Sequence, residues 1–123
     1  MLINEDPFSG QFTIQRFKPG ELVINAVTYQ RSVILTPDQV IADWPPQQFQ
    51  ELTLEHLTAL LHYKPQVIVV GTGSQQHFIE SKMLAALINR QIGVEVMGTL
   101  AACRTYNVLV SENRQVVAAL LIR

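Results

Sequence analysis

The chain has 123 residues, 48% of them apolar, which suits one folded domain with a proper core and is too apolar for a disordered chain. Nine basic and ten acidic residues leave a net charge of −1, so the composition gives no sign of the basic face that nucleic-acid binding usually requires. The single cysteine, Cys103, excludes an intramolecular disulfide and a cysteine-rich metal site.

Residues 1–10 lack the basic start and apolar run of a secretory signal, and they lack the arginine-rich pattern of a transit peptide. The longest apolar run, residues 116–122, is far shorter than the ~20 residues that span a bilayer. We therefore predict one domain over residues 1–123 that does not span a membrane and resides in the cytoplasm.

Short β-strands are predicted for the first half. Residues 11–17 alternate apolar and polar side chains, which is typical of a half-buried strand, and a Pro-Gly turn at 18–21 follows. Further strands are predicted at 22–25, 27–29 and 32–35. The segment 36–39, Thr-Pro-Asp-Gln, fits either a helix start with a capping box or a turn before a short strand. We favour the turn, because Pro45 and Pro46 would stop a helix almost at once.

Helices and strands alternate in the second half. Thr53 can cap a helix over 54–63, and four consecutive β-branched residues at 67–70 predict a strand buried on both faces. A helix over 77–91 ending at Gly93, a strand at 94–97, a helix over 100–110 capped by Thr99 and a strand at 116–122 complete the chain. A helix between consecutive strands implies parallel pairing with right-handed crossovers. The fold class is therefore α/β, with a β-rich N-terminal half followed by αβαβαβ.

The best candidate for a functional site is Gly71-Thr72-Gly73, which follows the buried strand. Glycines there leave backbone N–H groups uncovered, and the start of the next helix could receive an anion. A dinucleotide fingerprint would need glycine at position 76, which is Gln76, and the phosphate-loop motif is absent. The alternative is that the glycines only turn the chain and permit close packing.

A second loop, Gly98-Thr99, follows the next parallel strand and should face the same cleft, since ligands of open α/β sheets sit beyond the carboxyl ends of the strands. Arg104 in the following helix offers a planar charged fork for a carboxylate or phosphate, and Thr105 and Asn107 add polar groups. The alternative for Arg104 is a solvent-facing or salt-bridged side chain.

No catalytic, metal or cofactor site is predicted. The three histidines lack metal-ligand spacing, and Ser74 lacks the glycines of a nucleophile elbow. The carboxylates are scattered, so no acid–base pair can be identified. Cys103 stands near a predicted helix start beside Arg104, where its pKa could be lowered, but a small core-filling role is favoured.

Four segments resemble the Mth938-like (DUF498) family. They are Val-Ile-Val-Val-Gly-Thr-Gly at 67–73, Gly-Val-Glu-Val-Met-x-Thr at 93–99, Ala-x-Arg-Thr-Tyr-Asn-Val-Leu at 102–109 and Glu-x-Arg-x-Val-Val-Ala-Ala-Leu-Leu at 112–121. The resemblance covers essentially the whole chain; Gly98 departs from it, because a polar or acidic residue is expected before Thr99. It implies a compact three-layer α/β fold and kinship with a mitochondrial assembly factor for respiratory complex I, and it supplies no catalytic residues.

Two main functional hypotheses follow, and a purely structural homodimer is a third interpretation. The first is a non-catalytic binding or assembly module with a protein partner, such as subunits of a respiratory or other membrane complex. The second is an enzyme or sensor that holds a small anionic ligand. The ligand-binding residues predicted for that site are Gly71, Thr72, Gly73, Thr99, Arg104, Thr105 and Asn107.

Overall fold

A computed structural model describes residues 11–123 of the chain. Within these residues, eight strands and three α-helices follow one another in the order β1 (Ile14–Lys18), β2 (Glu21–Ile24), β3 (Val27–Tyr29), β4 (Val33–Thr36), β5 (Gln39–Ile41), α1 (Leu54–Thr58), β6 (Val67–Thr72), α2 (Ser81–Ile88), β7 (Gly93–Met97), α3 (Thr99–Ser111) and β8 (Val116–Leu121). Short 3₁₀ helices at Phe49–Glu51 and Ala59–Tyr63 flank α1.

The main sheet has five strands in the order β5-β4-β8-β6-β7. Strands β6, β7 and β8 run parallel, whereas β4 is antiparallel to both β5 and β8. Every residue of β6 and β8 is buried, as expected for continuous apolar runs at the centre of a covered sheet. The carboxyl ends of the three parallel strands therefore meet at one edge of the molecule.

Alternating residues of the main sheet enter two separate cores. Val67 and Val69 point to the side that α3 and the smaller sheet cover, where the fully buried Tyr106 lies. Ile68 and Val70 point to the other side, which α1, α2 and Trp44 cover. The molecule therefore has three layers, and this arrangement confirms the predicted α/β class.

Strands β1, β2 and β3 form a separate antiparallel sheet. Its two hairpin turns use left-handed backbone, at Gly20 (φ +88°) and at Asn25 and Ala26 (φ +45° and +69°). Asn107 of α3 attaches β1 to the rest of the fold: its amide oxygen accepts from the Ile14 N–H at 2.9 Å and its amide nitrogen donates to the Ile14 carbonyl at 2.7 Å.

Several predicted boundaries were wrong. The helix expected from residue 77 begins only at Ser81. The intervening loop has its own bonds: the Thr72 hydroxyl accepts from the His77 N–H at 3.2 Å, and the His77 ring stacks on Phe49 with 4.5 Å between centroids. Consequently, no helix starts directly after the glycine turn to receive an anion there.

Three further expectations need correction. Gly93 is the first residue of β7 and does not cap α2; Gln91, with φ +61°, supplies the left-handed turn. Gly98 is the N-cap of α3, so Thr99 lies inside the helix and its hydroxyl is free for other bonds. The helix predicted over 54–63 is α-helical only to Thr58, although Thr53 does cap it.

The segment 36–39 forms the turn that the proline argument favoured, and the Thr36 hydroxyl accepts from the backbone N–H groups of Asp38 and Gln39. Strand β5 then follows at the edge of the main sheet. Within residues 11–123, none of the helices is long and apolar enough to cross a membrane.

Candidate functional site

The hydroxyl of Thr99 ties together the carboxyl ends of the parallel strands. It donates to the carbonyl of Leu121 at the end of β8, with 2.5 Å between the oxygens, and accepts from the N–H of Gly73 at 2.8 Å. The Thr99 N–H in turn donates to the Gly73 carbonyl at 2.9 Å. Thr99 is completely buried, so these bonds replace the water that its polar groups would otherwise bind. We call Gly71, Gly73, Thr99 and Leu121 the strand-end junction.

The packing at the strand-end junction leaves no room for a side chain at either of its two glycines. A Cβ on Gly71 would lie 2.7 Å from the Thr99 hydroxyl oxygen and 3.1 Å from its Cα. Gly73 has φ +99°, and a Cβ there would collide with the carbonyl oxygen of Arg123. Both glycines therefore permit close packing, which is the alternative that the sequence left open beside ligand binding.

Thr72 faces a different part of the surface. Its hydroxyl lies 2.7 Å from the Gln75 carbonyl, to which it donates, and lines a small pocket of about 200 Å³ together with His77 and Arg123. The hydroxyl thereby shapes the loop after β6.

An open cleft of about 440 Å³ lies between the β1–β2 turn and the first turns of α3. We call it the α3 cleft. Strand β1 contributes Phe17 and Lys18 to its lining, α3 contributes Leu100 and Arg104, and Gly73 also lines it. Lys18 and Arg104 are exposed, and none of the described lining residues is acidic. The size lies within the range of small-ligand sites, roughly 300–1,000 Å³.

The structure brings Gly73, Thr99 and Arg104 together in the α3 cleft, as the two-loop argument expected. Gly71 and Thr72 do not line the cleft. Thr105 directs its hydroxyl to the sulfur of Met97 at 3.3 Å, and Asn107 is engaged with Ile14. Ligand binding by these residues stays a prediction.

Lys18 is a charged cleft residue that the sequence did not suggest as part of a site. It was interpreted only as part of a turn, and its position depends on β1 packing against α3, whose residues are about 90 positions away. The sequence signal for a cationic surface here was that two basic residues, Arg16 and Lys18, are spaced two apart along a strand. No local pattern shows which helix the strand faces.

Burial suppresses the acidity of the two titratable groups of α3 that lie inside the core. Desolvation raises the pKa of the Cys103 thiol to about 12, because the thiolate would lose its hydration. It also raises the pKa of Tyr106, whose hydroxyl donates to the Phe12 carbonyl at 2.7 Å. Cys103 is therefore a core-filling residue, as favoured from the sequence, and not an activated thiol.

The histidines make local contacts. The His56 ring accepts from the Thr53 N–H at 3.0 Å and meets Trp44 edge-on, and His77 stacks on Phe49. In the part of the chain that the structure describes, no three metal-ligating side chains come together.

Comparison with solved structures shows the same fold in several proteins. A Bordetella parapertussis protein is 35% identical and has a TM-score of 0.86, with 93% of this chain and 98% of that chain aligned. A structure described as a Mth938-like domain, from Bordetella pertussis, is 29% identical and has a TM-score of 0.83, with 99% and 92% aligned.

Similar sequences have names that refer to assembly and to membranes. Human NADH dehydrogenase (ubiquinone) 1 alpha subcomplex assembly factor 3 is 36% identical over 110 residues, which make up 88% of this chain and 59% of that protein. The Francisella tularensis "13 kDa major membrane protein" is 27% identical over 94% of this chain and 95% of its own length. The chain spans less than two thirds of the length of the assembly factors it matches.

The pattern of one family, described as "Protein of unknown function (DUF498/DUF598)", matches residues 14–121, from the first strand of the structure to the last. The match includes both loops of the strand-end junction and the whole of α3. Together with the Mth938-like structures, it shows that this chain belongs to the DUF498 family and has the Mth938-like fold.

Proposed function

We propose that this chain is a non-catalytic binding module that assists the assembly of a membrane protein complex, with a respiratory NADH dehydrogenase as the first candidate. The observation that carries the proposal is the similarity to assembly factor 3, which is 30% identical in the bovine protein over 98% of this chain. That match covers nearly the whole of this chain and 65% of the bovine protein.

The chemistry of the described site supports binding over catalysis. The hydroxyls of Thr72 and Thr99 are held by backbone groups, and the Cys103 thiol is buried and protonated at neutral pH. A catalytic nucleophile would need a base within hydrogen-bond reach and an open path to substrate.

The outer surface of α3 supports a protein partner. Leu100, Arg104 and Val108 are exposed and spaced four residues apart, so they lie along one face of the helix. Leu100 and Val108 are 49% and 55% exposed. A protein partner that covered this face would remove apolar surface from water, which is the main favourable contribution in protein association.

The test is affinity capture of the tagged chain from its own cells, with the membrane fraction retained and an unrelated tagged protein as the control. We expect enrichment of subunits of one membrane complex over the control, together with less of that assembled complex on a native gel when the chain is deleted. A deletion strain with a normal amount of every respiratory complex, and a bait recovered without membrane subunits, would contradict the proposal.

A second candidate function is the binding of a small anionic ligand, favoured by Lys18 and Arg104 in the α3 cleft. A thermal-shift screen against phosphates, nucleotides and small organic acids tests it. A ligand that raises the melting temperature of the wild type but not that of Arg104→Ala would support this function. Loss of folding in ligand-free Arg104→Ala would instead make Arg104 a structural residue.

A further inference from the structure

Two cavities adjoin along the seam between β1 and α3. The first is the α3 cleft. The second, of about 250 Å³, is lined by residues that include Arg16 and Cys103, and both cavities are lined by Phe17, Leu100 and Arg104. The two cavities therefore lie side by side along the seam, and we call them together the seam groove. It is defined by Arg16, Phe17, Lys18, Leu100, Ala101 and Arg104.

The charge of the seam groove differs from that of the whole chain. Arg16, Lys18 and Arg104 are three of the nine basic residues in a chain whose net charge is −1. No acidic side chain is found among the described residues that line either cavity. None of the three forms an ion pair with a carboxylate of residues 11–123, where Arg31 pairs with Asp43. Glu21 is the partner of Lys18 in the β1–β2 register but lines neither cavity, so the lining is cationic and favours a negatively charged occupant.

The occupant also needs an apolar part. Leu100, which is 49% exposed, and half-buried Phe17 line the α3 cleft together with Lys18 and Arg104. A compact hydrated anion would leave Leu100 in water. An occupant with an apolar side chain between its charges would cover Leu100 and thereby gain free energy.

The shape of the groove favours an extended chain. Its walls are a strand and a helix, and from Leu100 to Asn107 the helix alone rises roughly 10 Å at 1.5 Å per residue. That length equals about three residues of extended peptide at roughly 3.3 Å each. A single phosphate or a small acid would occupy only part of it.

We propose that the seam groove binds an extended acidic segment of a partner protein. Its carboxylates pair with Arg16, Lys18 and Arg104, and one apolar side chain between them packs on Leu100. This inference rests on the proposed function, because it identifies the surface and the partner chemistry that a binding module of this fold would use. Arginine forks suit carboxylates geometrically, and exposed cations on both walls would speed the encounter.

The probe is a capped pentapeptide, acetyl-Glu-Glu-Leu-Glu-Glu-amide, titrated into ¹⁵N-labelled protein at low salt. We expect chemical-shift changes at residues 16–18 and 100–104, and weaker binding as salt is added. Replacing leucine by serine in the peptide, or all glutamates by glutamines, should weaken binding at least about fivefold in each case, because each removes one of the two recognition elements.

Charge reversal supplies the matched variants. Lys18→Glu with Arg104→Glu should weaken peptide binding at least about tenfold, and Arg16→Glu alone should have a smaller effect. The control is Lys82→Glu with Arg90→Glu, which reverses two exposed charges of the α2 region, away from the groove. The control should change binding less than about twofold. All variants are checked for folding by the dispersion of the same spectra.

Several results would overturn the proposal. Shifts outside the groove, or no shift at millimolar peptide, would contradict it. Equal shifts with inorganic phosphate or acetate would assign the groove to a small anion. Binding to phosphatidylserine vesicles through the same residues, without peptide binding, would assign it to a lipid surface.

Affinity capture with a bait that carries Lys18→Glu and Arg104→Glu separates this inference from the proposed function. If wild-type and groove-reversed baits capture equal amounts of the same membrane subunits, the module stands and the groove proposal fails. If the wild-type bait captures no membrane subunits at all, the proposed function fails.

Discussion

The strand-end junction and the seam groove adjoin at the first turn of α3, yet their chemistry differs. In the junction, the hydroxyl of buried Thr99 has two backbone partners, and glycines bring the strands into contact with it. In the groove, Lys18 and Arg104 project into solvent beside an exposed leucine. The difference indicates that the glycine turn maintains the fold, whereas the adjoining cationic surface is the one that we propose for recognition.

The largest effect on stability is expected from Thr99→Val, which keeps the shape of the side chain and removes its hydroxyl. The Gly73 N–H and the Leu121 carbonyl would each lose a buried partner, and an unsatisfied buried group costs ~1–3 kcal/mol. We expect a loss of about 2–4 kcal/mol in the free energy of unfolding, measured by urea denaturation. Thr105→Val, which loses only a bond to sulfur, is the control; equal losses in the two variants would refute the special role of Thr99.

A somewhat smaller effect is expected from Gly71→Ala. The new methyl group would press on Thr99, and such overpacking typically costs ~1–3 kcal/mol. Gly98→Ala is the matched control, because its nearest neighbours would be 3.7 Å from the added Cβ and its backbone is extended. Chemical denaturation of both proteins measures the difference, and a Gly71→Ala protein as stable as the control would show that the junction can relax.

Cys103 provides a test that depends on pH. Because burial raises its pKa to about 12 from the usual 9.0, the folded protein keeps the thiol proton at pH values where the unfolded chain has lost it. The contribution of Cys103 to stability is therefore complete below about pH 9 and declines as the pH rises towards 12. Cys103→Ala should show less of this decline. A thiol reagent should modify the native protein at pH 8 far more slowly than the urea-unfolded protein, and equal rates would contradict the burial of the thiol.

The smallest effect on stability is expected from Lys18→Ala and Arg104→Ala, each within about 0.5 kcal/mol of wild type, because exposed side chains without buried partners contribute little. Thermal unfolding monitored by circular dichroism measures it. A drop in melting temperature as large as that of Thr99→Val would mean that the two cations hold the fold together and are not free for recognition.

The sequence predicted those parts of the fold that depend on local patterns. Continuous apolar runs at 67–70 and 116–122 located the central strands, and the Thr53 cap located α1. The helix over 77–91 was placed four residues too early, since the contacts of His77 with Thr72 and Phe49 compete with helix formation. Those contacts involve tertiary structure, so sequence periodicity could not show them.

The candidate site was predictable to the same extent. The rule that parallel strands end at a common edge brought Gly73 and Thr99 together, and Arg104 was chosen for its chemistry. The rule could not show that Thr99 would be buried with its hydroxyl bonded on both sides. Nor could it show that Asn107 would attach β1 to α3, because both depend on which surfaces pack.

The central claim is that this chain binds a partner in the assembly of a membrane complex through the seam groove. Quantitative affinity capture with wild-type bait, the Lys18→Glu, Arg104→Glu bait and the Lys82→Glu, Arg90→Glu control bait tests it most directly. We predict that the wild-type and control baits recover the same membrane subunits and that the groove-reversed bait recovers at least about tenfold less. Equal recovery by all three baits, or no membrane subunit above the background of an unrelated bait, would contradict the claim.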